Sequence, residues 1–176
     1  MLQNIKKQRQ EGFTIIEVMI VLVIAAVILL IVFLAVPALQ RNSRNTQMKN
    51  ESAAVTSAVA EYVSNQNAGT ELKAADNGTG DGTGTTAADK IYKLSNAKNL
   101  KKVTIQAVPA SAITFTATGA SPNSTTVYVH YSAKCSTASP LVPGLPEAAS
   151  ARQIAVIYPV EASGGTLNAA CIDSGV

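Results

Sequence analysis

Charge is what this sequence has least of. Asp, Glu, Lys and Arg make up 14% of 176 residues, against roughly 25% in an ordinary soluble domain. Hydrophobic residues reach 47%, an imbalance that puts part of the chain in lipid or inside a polymer. Disorder along the whole chain is excluded, because disordered chains are rich in charge and poor in apolar side chains. The net charge is +3, from 14 basic and 11 acidic residues. Lys6, Lys7 and Arg9 precede Gly12 together with Glu11, so eleven bases face ten acids beyond it. A body so close to neutral gives no support for a nucleic-acid partner, although Lys98, Lys101 and Lys102 form a local basic patch.

Chemistry-bearing residues are equally sparse. One histidine, His130, and two cysteines, Cys135 and Cys171, leave no zinc site of the usual ligand set. Any Ser-His-Asp triad has to use His130. A Gly-x-Ser-x-Gly nucleophile motif is absent, as is any repeated cluster of paired acids and histidine. The run DNGTGDGTGTTAAD at 76–89 has four glycines at alternate positions but lacks the glycine spacing of a dinucleotide fingerprint. It also lacks the sixth-position Gly and twelfth-position Glu of a calcium loop. It reads as a flexible connection. No enzyme, cofactor or metal is expected.

What is present is concentrated at the N-terminus. Residues 18–36 are apolar without a break, a run of 19, long enough to span a hydrocarbon core of ~30 Å as a helix. A soluble core helix interrupts such a run with polar positions every third or fourth residue. The basic leader MLQNIKKQRQEG suits a segment retained in the cytoplasm. A cleaved secretory signal has a shorter apolar core, about 7–15 residues, and a small-residue cleavage site, which Pro37 spoils after Ala35. A plain signal anchor explains neither the abrupt Gly-Phe-Thr junction nor Glu17, the only charge between Gly12 and Arg41. A carboxylate at the edge of a membrane helix costs up to about 3 kcal/mol, which calls for a reason.

These residues resemble the N-terminus of type IV prepilins and the related pseudopilins. Lys-Lys-Gln-Arg-Gln-Glu-Gly-Phe-Thr-Ile-Ile-Glu-Val-Met-Ile-Val is similar to that family's basic leader ending in Gly, followed by Phe-Thr-Leu-Ile-Glu and a long apolar helix. The resemblance implies that Gly12 precedes the cut and that Phe13 becomes the methylated N-terminus. Glu17 then stands as the acidic fifth residue of the mature chain. Pro37-Ala38-Leu39-Gln40 resembles the family's Pro-Ala-Tyr-Gln, about one helical turn late. The match covers residues 6–40.

Beyond Pro37, helical spacing continues to about residue 66. Met48, Ser52, Val55, Val59 and Tyr62 make one stripe, opposite a polar face with Lys49, Asn50, Ser57 and Ser64. Pro37 removes a backbone donor and is expected to kink or loosen the helix. Strand-like runs follow at 102–108, 112–118, 125–131 and 153–160, the first three read as an antiparallel meander. Alternation places His130 on the polar side of its strand, solvated. A sheet polar on one face can bury the other on Val55, Val59 and Tyr62.

The expected architecture is therefore α+β, a long N-terminal helix packed on an antiparallel sheet of about four strands. The leader is 1–12, the transmembrane and assembly helix 13–37, its amphipathic half 38–66, a Gly-rich connecting loop 67–101, and the sheet 102–176. An isolated cysteine pair in an exported domain reads as one disulfide, Cys135–Cys171, similar to the C-terminal disulfide loop of many type IV pilins. The resemblance implies a subunit held in the cytoplasmic membrane, leader inside and C-terminal domain outside, and then built into an extracellular pilus filament. Its partners are further pilin subunits, a prepilin peptidase that also methylates, and an assembly platform. A type II secretion pseudopilin, a DNA-capturing competence pilin and a signal-anchored extracellular binding domain are the alternatives.

Overall fold

The computed structural model describes residues 12–65, 71–108, 125–136 and 146–174. The chain divides into two compact units, 1–40 and 41–176. Helix α1 is Ile15–Asn65, with Pro37 inside it and no break there. Its N-terminal part is the one helix, among the described residues, long and apolar enough to cross a membrane. Every residue from Phe13 to Gln40 is exposed.

Within 41–176, the second half of α1 buries Ser52, Val55, Ala58, Val59 and Tyr62, the stripe that the spacing foretold. Met48 and Val63 pack at its margins. Burying a side chain such as Val55 or Val59 stabilises by about 1.5–3 kcal/mol, so the stripe outweighs the weak intrinsic preference of valine for helix. The stripe packs on strands β2 (Lys102–Gln106), β3 (Thr126–Tyr131) and β6 (Ile154–Glu161), through Val103, Ile105, Val127, Val129, Ile154, Val156 and Tyr158.

Those strands belong to a five-stranded mixed sheet. Its order is β1-β2-β3-β6-β7, with β1 at Gly78–Gly80 and β7 at Leu167–Asp173. A second, two-stranded sheet pairs β4 (Ala133–Cys135) with β5 (Pro146–Ala148). The fold is α+β, as expected, but the meander is not there. β2 and β3 are direct neighbours and run parallel, with Val103 opposite Val127 and Ile105 opposite Val129. This register puts the apolar residues of both strands on the helix-facing side. The link between them, residues 107–125, exceeds the dozen or so residues that a parallel connection needs. The expected strand at 112–118 lies outside the described residues.

The region read as a flexible Gly-rich connection is also structured where it is described. It holds a 3-10 turn at Ala74–Asp76, strand β1, and helix α2 at Ala87–Ser95, which buries Ala88 and Ile91. β1 pairs antiparallel with β2. Gly80, Gly82 and Gly84 lie too close to α2 to carry a side chain without a shift. A Cβ on Gly80 would lie 2.2 Å from the Asp89 nitrogen, and one on Gly84 would lie 2.4 Å from the Asp89 carboxylate.

Candidate functional site

The N-terminal site begins at Gly12, where neither packing nor backbone conformation calls for glycine. A Cβ there would meet nothing within 4 Å, and its φ is outside the left-handed range. Phe13 is 89% exposed. Thr14 is the residue that starts the helix. Its hydroxyl accepts from the Glu17 backbone N–H (3.4 Å) and donates to Glu17 Oε2 (2.7 Å), while the Thr14 N–H donates to the same oxygen (2.9 Å). This is a capping box, which satisfies helix N–H groups that have no partner within the helix. Glu17 therefore has a local partner before any neighbour arrives. The sequence pattern alone did not single out Thr14, although Thr-x-x-Glu ahead of an apolar run is a readable signal.

Cys135 and Cys171 are bonded to each other, with Cα atoms 5.8 Å apart and a sequence separation of 36. They join β4 to β7, and the Cys135 N–H donates to the Asp173 carboxylate (3.1 Å). Closing a loop of this size is worth about 3–4 kcal/mol in the chain-entropy account.

His130 is not solvated. It is fully buried, opposite Ala155 on the sheet face away from α1, where Ala155 and Ile157 are buried too. Alternation identified the right face, but that face is covered, because β6 is buried on both sides. Nδ1 lies 3.0 Å from the Ala107 carbonyl. A carbonyl only accepts, so Nδ1 carries the proton. Nε2 is buried without a partner among the described residues. Burial holds the imidazole pKa below its ordinary value, opposed by hydrogen bonds to backbone carbonyls. Among the described residues no acid or nucleophile bonds to it, and His130 is a core residue.

Asp89 is another buried ionisable group. It occupies the third position of α2 and forms a capping box with Thr86. Its Oδ1 accepts from the N–H groups of Asp81 and Gly82, and its Oδ2 from the N–H and hydroxyl of Thr86. The Thr86 hydroxyl bond is the chief cause of a pKa lowered to about 2, with backbone donors adding to it. Among the described residues, no group of three or more His, Cys, Asp or Glu could hold a metal ion.

Residues 7–33 match the family described as the prokaryotic N-terminal methylation motif. Residues 7–33 thus carry the leader signature of type IV prepilins, which supports a pilin-like or pseudopilin precursor. That class is structural rather than enzymatic; its members are processed by prepilin peptidase and built into a polymer. The motif and the long apolar helix fit a membrane-anchored precursor. No curated protein and no solved structure matches the chain.

Proposed function

We propose that this chain is a structural subunit of a type IV pilus. It is cut between Gly12 and Phe13, methylated on the new amine of Phe13, and polymerised through the N-terminal half of α1. The observation that carries this reading is the junction itself. A glycine with no structural reason to be glycine stands just before a capped helix whose apolar residues are all exposed as far as Leu39. A peptidase that must bring its site against the backbone supplies that reason. Packing the apolar helices together in a filament core removes them from lipid at little cost, since lipid tails and aliphatic side chains are equally apolar.

Cleavage also changes the charge at residue 13. The Phe13 nitrogen is a neutral amide in the precursor and an amine afterwards. Glu17 then pairs with the Phe13 amine of a neighbouring subunit. Such a pair need not stabilise the polymer relative to an apolar contact, but a helix docked at the wrong height leaves a buried charge unpaired. The filament serves adhesion, motility or uptake. Mass spectrometry of the surface form, together with electron microscopy of producing cells, tests the proposal. A mature N-terminus at methylated Phe13 with filaments on cells is expected, and Gly12→Val should leave full-length precursor in the membrane. A start at Met1 or after Ala35 sinks it. Correct processing without surface filaments favours a pseudopilin instead.

A further inference from the structure

A cavity of about 380 Å³ opens where the last turns of α1 meet the start of β6. Its floor belongs to the hydrophobic core. Val59, Leu72 and Ile154 are each no more than 6% exposed and share one apolar cluster, which Val63 flanks. Val59 and Val63 stand four residues apart on α1, so one face of the helix supplies both. The floor is therefore fixed by helix and strand packing before any ligand arrives. Its size falls within the roughly 300–1,000 Å³ of small-molecule sites, which are mostly apolar with a few placed polar groups.

Four polar side chains line the same cavity: Ser64, Glu71, Arg152 and Ser174. The two serines are engaged. The Ser64 hydroxyl donates to the Glu61 carbonyl (2.9 Å), and the Ser174 hydroxyl accepts from the Ile154 N–H (3.3 Å). Arg152 and Glu71 are not. They approach each other only to 3.9 Å and make no hydrogen bond among the described residues. Their side chains are 79% and 39% exposed, so a contact this long adds little to the fold. One guanidinium and one carboxylate, with their hydrogen-bonding capacity unused, thus flank an apolar floor.

We infer that this cavity binds a free α-amino acid with an apolar side chain. The wall carries one charge of each sign a few ångströms apart, and so does an amino-acid zwitterion. Arg152 donates to the ligand carboxylate through its planar fork, and Glu71 accepts from the ligand ammonium. The ligand side chain then covers Val59, Val63, Leu72 and Ile154. Two charge-assisted contacts replace one long one. An apolar amine or an apolar carboxylate leaves one wall charge unmatched, and a peptide bond at either end of the ligand removes one of its own charges. The inference stands apart from the pilus proposal, since it needs neither cleavage nor polymerisation, and its failure leaves that reading in place.

The test is an amide NMR titration of the full chain in lipid nanodiscs with L-phenylalanine. Saturable shifts at Val59, Val63, Leu72 and Ile154 are expected, with a Kd of about 1 mM for a ligand of so few atoms. Arg152→Gln and Glu71→Gln, each removing one exposed charge, should raise the Kd about fivefold. Ala60 also lines the cavity, and Ala60→Phe, which fills it with a ring, should raise the Kd about tenfold or more. Phenethylamine and hydrocinnamate, each lacking one of the two ligand charges, should bind about fivefold more weakly than phenylalanine. No saturable shift by about 10 mM phenylalanine, or an unchanged Kd in Ala60→Phe, overturns the proposal. Equal binding of phenylalanine, phenethylamine and hydrocinnamate assigns the cavity to an apolar side chain of a partner protein and overturns it as well.

Discussion

Arg44 and Glu161, 117 residues apart in sequence, meet through two parallel hydrogen bonds of 2.7 Å, from Nε to Oε1 and from Nη2 to Oε2. Asn45 brackets the same residue, donating to the Glu161 carbonyl (3.0 Å) and accepting from its N–H (2.8 Å). Together they anchor the start of the packed part of α1 to the end of β6. The Glu161 side chain is 7% exposed, so removing its cation strands a buried carboxylate. Arg44→Ala should therefore lower stability by about 1–3 kcal/mol. Arg44→Lys should recover only part of it, because lysine lacks the planar fork. Urea unfolding followed by circular dichroism checks both.

Glu17→Gln separates two roles of the same carboxylate. Glutamine at this position still closes a capping box with Thr14, so the helix start, membrane insertion and cleavage after Gly12 should persist. The charge that pairs with the Phe13 amine is lost, and few or no filaments should form. Filament counts equal to the parent would show that Glu17 serves only its own helix. Thr14→Val, which removes the hydroxyl but keeps the charge, should cost about 1 kcal/mol at the helix start.

Acid should open the Gly-rich loop. The Asp89 pKa is about 2 in the fold, against an ordinary 3.8, so the unfolded chain binds the proton more readily. The stability it contributes is complete above about pH 4 and is lost as pH falls toward 2. Amide hydrogen exchange of Asp81, Gly82 and Thr86, whose N–H groups bond that carboxylate, should speed up in this window. Asp89→Asn puts an NH2 among these donors and should speed their exchange already at neutral pH.

His130 governs a higher pH range. Its folded pKa lies below the ordinary 6.5, so the unfolded state again takes up the proton first. Stability is complete above about pH 6.5 and declines as pH falls from there through the folded value. The urea midpoint of the parent should therefore drop between pH 7 and pH 5. His130→Gln, which cannot titrate, should flatten that part of the profile; an unchanged slope would mean that another group causes it.

Much of this protein is local and was legible as such. The break at Gly12-Phe13, the unbroken apolar run at 18–36, and the stripe from Met48 to Tyr62 depend only on neighbouring residues and helical period. The alternation of Val103, Ile105, Val127 and Val129 likewise shows which side of each strand is apolar. The Thr14 and Thr86 capping boxes could have been read the same way, since a box needs only residues three positions apart.

What tertiary structure decided are the relations between distant segments. Alternation shows that β2 and β3 each have an apolar face but is the same for parallel and antiparallel neighbours, so their direction waits on the path of the link between them. The same limit misplaced His130: pattern identifies a polar position, while burial depends on what covers that face. The four alternate glycines read as flexibility until α2 came close enough to leave no room for a Cβ at Gly80. Periodicity reports which side of an element is apolar, and packing alone decides what lies against it.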